Sequence, residues 1–314
     1  MSQPIPLIID TDPALGIWHE GRPRDVDDGL AIIEAINAPD IELLAITATF
    51  GNAPLRDTLR VAQDLVRLKQ MDVPVAAGAS EAMPVAGSVV TNAAVDLYAA
   101  ILGKRHARIA AIGPLTNLGI LLSLRPDLAT RIDEVVIVAG RTVGQRFYLG
   151  DVGPVRDFNF ENDVRATRIL LESGVPIVMA GFELSRQVVV TAADLDAIRT
   201  HATPSADYLY RNSLDWFSHW TNTFPSDAGF HPWDSAAIAW LRRPDLFTTE
   251  QRGWRIRTAD LSAAEQSGNP DGSPTSVQWL ETGVELPGPA ITFCTGFAPG
   301  ADKEFIRSII SDVY

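Results

Sequence analysis

The feature that most narrows the fold is a rhythm. Short apolar runs at 6–10, 41–50, 73–78, 107–113, 133–140 and 175–181 alternate with segments whose apolar residues recur at helical spacing. Runs this short and this continuously apolar suit strands covered on both faces. A helix between successive strands returns the chain to the same end of the sheet, which makes neighbours parallel. Predicted helices cover 29–38, 53–70, 88–102, 114–124 and 162–173. The expected fold class is therefore α/β, with an open, mostly parallel sheet flanked by helices. Beyond about 185 the rhythm loosens. Residues 205–224 and 233–243 read as aromatic-rich helices, 265–274 as a Gly/Pro/Asn/Ser turn or loop, and 303–314 as a closing helix.

In such folds, ligands gather beyond the carboxyl ends of the strands. That rim is where the unusual polar residues fall: Asp10 and Asp12 end the first strand, Gly51-Asn52 the second, and Gly113 to Asn117 a later one. Asp25, Asp27 and Asp28 follow within one turn and precede an apolar helix, so five carboxylates crowd together. A solvated acidic face is the plain alternative. Strand-end placement favours a cluster facing a cleft, where like charges require a cation or hydrogen-bond donors. All-oxygen ligands suit Ca²⁺ or Mg²⁺ better than zinc. Trp233-Asp234, at the head of another apolar helix, can close the same site, or Asp234 can be an ordinary helix cap beside a core tryptophan. The segment 150–163 adds Asp151, Asp157, Asn159, Glu161 and Asp163, groups suited to vicinal hydroxyls or simply to a polar loop.

Composition limits the partners. With 26 Lys plus Arg against 39 Asp plus Glu the formal charge is -13. That balance disfavours nucleic acid and anionic membrane, and favours a small neutral or cationic ligand. Cys294 is the single cysteine, which excludes an intrachain disulfide framework. No run reads as a signal peptide or membrane span, so the expected location is cytoplasmic.

Together these segments resemble the inosine-uridine nucleoside hydrolase family. The parts that carry the resemblance are DTDP…DVDDGLAI at 10–32, LLAITATFGN at 43–52, AIGPLTNLG at 111–119, DVGPVRDFN at 151–159, FELSRQVVVT at 182–191 and WDSAAIA at 233–239. The resemblance implies a single catalytic domain over 1–314, commonly assembled as a homodimer or homotetramer. It implies hydrolysis of the N-glycosidic bond of ribonucleosides with a bound Ca²⁺. Carried onto this chain, Asp12 is the general base and a metal ligand, with Asp28, Asp234 and the main-chain carbonyl of Thr116 as further ligands. Asp10 is a supporting acid; Asp27, Asn52 and Asn159 are expected near ribose, with Asp151 and Asp157 around its 5′ end.

The departures from the family pattern concern specificity. An enlarged loop, ALGIWHEGRPR, separates Asp12 from Asp25. Asp151 stands where the common pattern has Asn, and Asp157 where it has Glu, which leaves more room at the ribose 5′ end. Trp233 occupies the place of a catalytic histidine, as in the purine-preferring branch, where the indole stacks on the base. Purine nucleosides are thus the expected substrate, with pyrimidine or broad specificity as the alternative. Trp18 and His19 either pack the loop or form a lid over the cleft. His231 is another possible proton donor, with Pro232 positioned to turn it away. The aromatic stripe Trp216, Phe217, Trp220 and Phe224 is left outside the site, because helical spacing of this kind commonly serves core or subunit contacts. A Mg²⁺-dependent phosphoryl hydrolase, with Arg22 and Arg24 on the phosphate, and a non-catalytic nucleoside- or calcium-binding module are the competing readings.

Overall fold

The same rhythm runs through the computed structural model, which describes residues 3–150, 152–261 and 276–311. In chain order the strands are β1 (Ile5–Thr11), β2 (Trp18–His19), β3 (Arg22–Pro23), β4 (Ile41–Ala48), β5 (Val75–Ala77), β6 (Ala107–Ala111), β7 (Ile132–Ile137), β8 (Arg141–Thr142), β9 (Ile177–Met179), β10 (Val190–Thr191), β11 (Gly229–Phe230), β12 (Phe247–Asp260), β13 (Ser276–Gly283) and β14 (Ile291–Phe297). Ten of them form one sheet in the order β5-β4-β1-β6-β7-β9-β14-β12-β13-β8. From β5 to β14 every neighbouring pair is parallel. Strand β12 then adds antiparallel to β14 and β13.

The helices are α1 (Asp27–Asn37), α2 (Leu55–Leu68), α3 (Ala93–Leu102), α4 (Thr116–Leu124), α5 (Phe158–Asn162), α6 (Val164–Glu172), α7 (Phe182–Ser185), α8 (Ala192–Thr200), α9 (Pro204–Thr223), α10 (Ser235–Arg242) and α11 (Ala301–Ile310). Successive residues of the central strands join opposite cores. Leu7 and Ile9 of β1 and Val136 of β7 pack into one buried cluster, whereas Ile8, Val135 and Ile137 pack into the other. A strand covered on both faces has no polar side to display, which explains the unbroken apolar runs.

The chain winds outward from β1 to β4 and β5 on one side, and through β6, β7 and β9 on the other. The winding direction therefore reverses between β1 and β6. At their carboxyl ends the loops diverge and leave a crevice. Asp10, Asp12 and Pro114 all stand at this switch point.

Most helix starts lie within two residues of the sequence expectation, and two of the differences have a clear cause. Helix α1 begins at Asp27, so Asp27 and Asp28 occupy its first turn, where the positive end of the helix favours carboxylates. Helix α3 begins at Ala93 instead of 88, because the Asn92 side chain accepts the Val95 N–H at 3.0 Å and caps the helix there. The expected turn at 265–274 and the last three residues of the expected closing helix lie outside the described residues. Among the described residues no helix is long and apolar enough to cross a membrane.

Candidate active site

Strand β1 delivers Asp10 and Asp12 to the crevice, and the first turn of α1 delivers Asp27 and Asp28. The head of α10 brings Asp234 from more than 200 residues away. One oxygen each from Asp27, Asp28 and Asp234 lie within 4.8 Å of one another, all three residues being buried. Asp234 is the residue before α10, yet its side chain makes no capping hydrogen bond; its backbone N–H instead donates to Asp27 Oδ2 at 3.2 Å. The ordinary-cap reading of Asp234 thus loses its basis.

Asp12 stands directly behind this trio. Its backbone N–H donates to Asp28 Oδ1 at 3.1 Å, and its Oδ2 accepts the Asn52 N–H at 2.6 Å. Its Oδ1 is buried with no hydrogen-bond partner. Asp28 also accepts from the Thr11 hydroxyl, and from Asn52 Nδ2 at 3.3 Å. Gly51 is required beside it, since a Cβ there would lie 2.0 Å from Asp12 Oδ2. Asp10 is set deeper, where Oδ2 accepts from Thr47 at 2.7 Å, Asn117 at 3.0 Å and Tyr98 at 3.1 Å. Thr116 opens α4 with its hydroxyl donating to Asp163 at 2.8 Å, so its carbonyl is the group left for the implied ligand role.

Burial dominates the electrostatics. It pushes Asp10 up to about 6 against the donors on its Oδ2, and Asp28 up to about 7. Asp12, Asp27 and Asp234 are held well above the usual carboxylate range by burial first and by neighbouring carboxylates second. Crowded, desolvated anions of this kind are relieved by a cation. The donor set is all oxygen, one Asp12 oxygen is unpartnered, and the surrounding backbone admits no added side chain at Gly51. These residues fit a hard divalent ion.

A cavity of about 320 Å³ opens over the cluster. Asp25, Asp27, Asn52 and Asp234 line it at the acidic end, and Asp157 and Asn159 along one wall. Asp157 accepts the Gly140 N–H at 3.0 Å and is pushed up to about 6 by burial, opposed by the Arg141 charge. Asn159 donates to the carbonyls of Ile112 and Val138 at 2.8 and 3.2 Å, which fixes its amide. Asp12 and Asp28 lie beneath the lining, at 1% and 0% exposure. Asp151 lies outside the described residues.

The other end of the cavity is aromatic. Phe147, Phe182 and Trp233 stack in sequence, with centroids 4.1 and 5.3 Å apart and planes within 12° and 15°. Trp216, His219, Trp220 and Thr223 of α9, with Phe224 directly after it, complete that end. Of the stripe left outside the site in the sequence reading, Trp216, Trp220 and Phe224 line the cavity, whereas Phe217 is not among the lining residues. The stripe does both jobs: Trp216 and Trp220 are buried against the core and still present surface to the cavity. His219 and Thr223 fall between those aromatics, and in sequence that pattern is the same as in an ordinary amphipathic helix.

The lid residues lie elsewhere. Trp18 is 60% exposed and its indole N–H donates to Asp215 at 3.0 Å; neither it nor His19 is among the residues lining the cavity. The enlarged loop instead contributes Arg22, Arg24 and Asp25. His231 is buried, with Nδ1 2.6 Å from the Val188 carbonyl and Nε2 3.3 Å from Asp227 Oδ2. It packs beneath Trp220 and Trp233 rather than on the cavity surface.

An acidic, oxygen-lined floor joined to an aromatic end within one α/β crevice defines a class: a hydrolase for a ligand with a hydroxyl-rich part and a planar part. The family model for inosine-uridine preferring nucleoside hydrolases matches residues 7–282. The chain belongs to this family of nucleoside-hydrolysing enzymes. It is 31% identical over 280 residues to the pyrimidine-specific ribonucleoside hydrolase RihA of Salmonella typhimurium, covering 81% of this chain and 85% of that protein. Its fold matches the purine-preferring ribonucleoside hydrolase of Gardnerella vaginalis with a TM-score of 0.77 at 21% identity, over 98% of both chains. It also matches a plant nucleoside hydrolase, PpNRh1, with a TM-score of 0.75 at 18% identity, over 98% and 99% of the respective chains.

Proposed function

We propose that this enzyme releases the free base from purine ribonucleosides by hydrolysing the N-glycosidic bond, with Ca²⁺ at the carboxylate cluster. The observation that carries the reading is the single cavity that joins Asp27 and Asp234 to the Phe147–Phe182–Trp233 stack. Ribose belongs at the acidic end and the base at the aromatic end. Residues Asp28, Asp234, Asp12 and the Thr116 carbonyl would hold the ion, with Asp27 beside them. When bound, the cation supplies positive charge that orients the ribose hydroxyls and makes a water easier to deprotonate.

The chain's own groups then divide the remaining work. Asp12 Oδ1, which has no protein partner, accepts the proton of the attacking water. Asn52, Asp27, Asp157 and Asn159 position the sugar, and the surrounding carboxylates favour the positive charge that develops on it as the bond breaks. Asp10, held by three donors, keeps the end of β1 in place. Trp233 and its aromatic neighbours bind the base face. His219 is the imidazole at that end of the cavity and supplies a proton to the departing base. The likeness to the pyrimidine-specific enzyme supports a second reading in which uridine or cytidine is preferred. The protein is expected to act in the cytoplasm as a homodimer or homotetramer.

A panel of inosine, guanosine, adenosine, uridine and cytidine, scored by base release, separates these readings. The purine nucleosides are expected to turn over fastest, and chelation followed by added Ca²⁺ to abolish and restore the reaction. In the same assay His219→Ala should lower kcat roughly 100-fold. Release from none of the five nucleosides would sink the proposal, and faster release of uracil or cytosine would establish the second reading.

A further inference from the structure

The hairpin in the enlarged loop carries cationic side chains into a cavity that is acidic at one end and aromatic at the other. Strands β2 and β3 pair antiparallel, Trp18 opposite Pro23 and His19 opposite Arg22. Glu20 and Gly21 join them with φ of 52° and 76°, the two positive values of a turn whose twist matches that of the strands. The Arg24 N–H continues the ladder to the Ile17 carbonyl at 3.0 Å. Side chains two apart on a strand share a face. Arg22 and Arg24 accordingly both line the cavity, while Pro23 between them is buried.

This hairpin is anchored. The Trp18 indole holds Asp215 of α9, and Gly16 lies so close to the same helix that a Cβ would be 2.2 Å from Asn212 Oδ1. Arg24 is 8% exposed, with Nη2 donating to Glu20 Oε2 at 2.6 Å. A third guanidinium, Arg156, lines the cavity from the segment that carries Asp157 and Asn159. Its Nε donates to Glu161 Oε2 at 3.1 Å; a guanidinium has five donors, arranged to fit an oxyanion.

Arg24 and Arg156 each meet one carboxylate, Glu20 and Glu161, which offsets part of the cost of burying them; an oxyanion in the cavity would give the guanidinia a further partner that a neutral nucleoside lacks. Asp157, shorter than the Glu of the family pattern, directly follows Arg156 at the end expected to face the ribose 5′ carbon. We infer that Arg22, Arg24 and Arg156 form an oxyanion subsite, and that the substrate carries a phosphate or carboxylate on the ribose 5′ carbon. This inference rests on the nucleoside-hydrolase reading and specifies its substrate class. The overall acidic balance of the chain points towards neutral ligands; the guanidinia lining the cavity override it locally.

The test uses the full-length enzyme with Ca²⁺ and follows base release from inosine, inosine 5′-phosphate and the corresponding 5′-carboxylate. One or both anionic substrates should exceed inosine in kcat/KM by about tenfold or more, chiefly through KM, and the advantage should shrink with added salt. The two anionic arms decide between phosphate and carboxylate. Arg156→Ala and Arg22→Ala should each lower the ratio of anionic to neutral kcat/KM by about tenfold, with Arg156→Lys restoring part of it. Inosine turned over as well as or better than both anionic substrates by the unmodified enzyme would overturn the subsite and leave the hydrolase reading standing. Release from none of the three would overturn both.

Discussion

Asp234 shows how much can rest on what one side chain does not do. A carboxylate at a helix start ordinarily accepts from the first-turn amides; here it makes no such bond and joins Asp27 and Asp28. Asp234→Asn keeps the size of the side chain and removes one anion from the crowd. In chelator its melting temperature should rise above that of the unmodified enzyme, because burial and the neighbouring charges hold the carboxylate above its ordinary range. In Ca²⁺ the order should reverse, with kcat lowered at least about 100-fold. Equal responses to Ca²⁺ in the two proteins would refute the ligand role. The strand-end acids were legible in the sequence because motif and position coincide. Asp25 was harder to place: it sits in the loop by sequence, yet lines the cavity and is pushed up to about 6 by burial. Arg156 lay in plain view beside Asp157, and only the shared cavity joins it to Arg22 and Arg24.

At the scale of elements, helices α1 and α10 meet through an ion pair that is buried on the Glu34 side and half-buried on the Arg242 side. Glu34 is fully buried, and Arg242 Nη1 donates to its Oε1 at 3.2 Å. Burial nevertheless outweighs Arg242 and pushes the carboxyl up to about 7 from 4.5. Between those values the folded chain holds a proton that the unfolded chain lacks. The group's stabilising contribution is therefore present below pH 4.5 and is lost as pH rises through 7. The loss is on the order of 3 kcal/mol. Glu34→Gln should flatten this part of the pH dependence, so that its melting temperature gains on the unmodified enzyme from pH 5 to pH 8. An unchanged difference across that range would show that Glu34 stays ionised throughout. The strands on either side were readable from unbroken apolar runs. The true start of α3 was not, because an asparagine cap competes with an apolar run, and capping geometry decides between them. The α9 stripe was ambiguous for a related reason: one helical spacing serves both a core and a pocket wall, and only the packing of β3 and β11 against that helix distinguishes them.

The whole molecule assembles its site from distant parts. The reversal of strand order between β1 and β6 supplies the crevice, the late helix α10 closes the acidic end, and α9 walls the aromatic end. Parallel strands follow from the rhythm of the chain, whereas their order and the distances across the crevice depend on packing between residues far apart in sequence. The ring stack over that crevice also makes the protein its own optical probe. Trp216, Trp220 and Trp233 border the cavity, and Trp18 is a solvent-exposed indole away from it. A purine seated against Trp233 should quench the blue-shifted part of the intrinsic fluorescence in proportion to occupancy. Trp18→Phe should remove red-edge background without changing that titration, and Trp233→Phe should diminish the quench, giving a readout of ligand capture independent of bond cleavage.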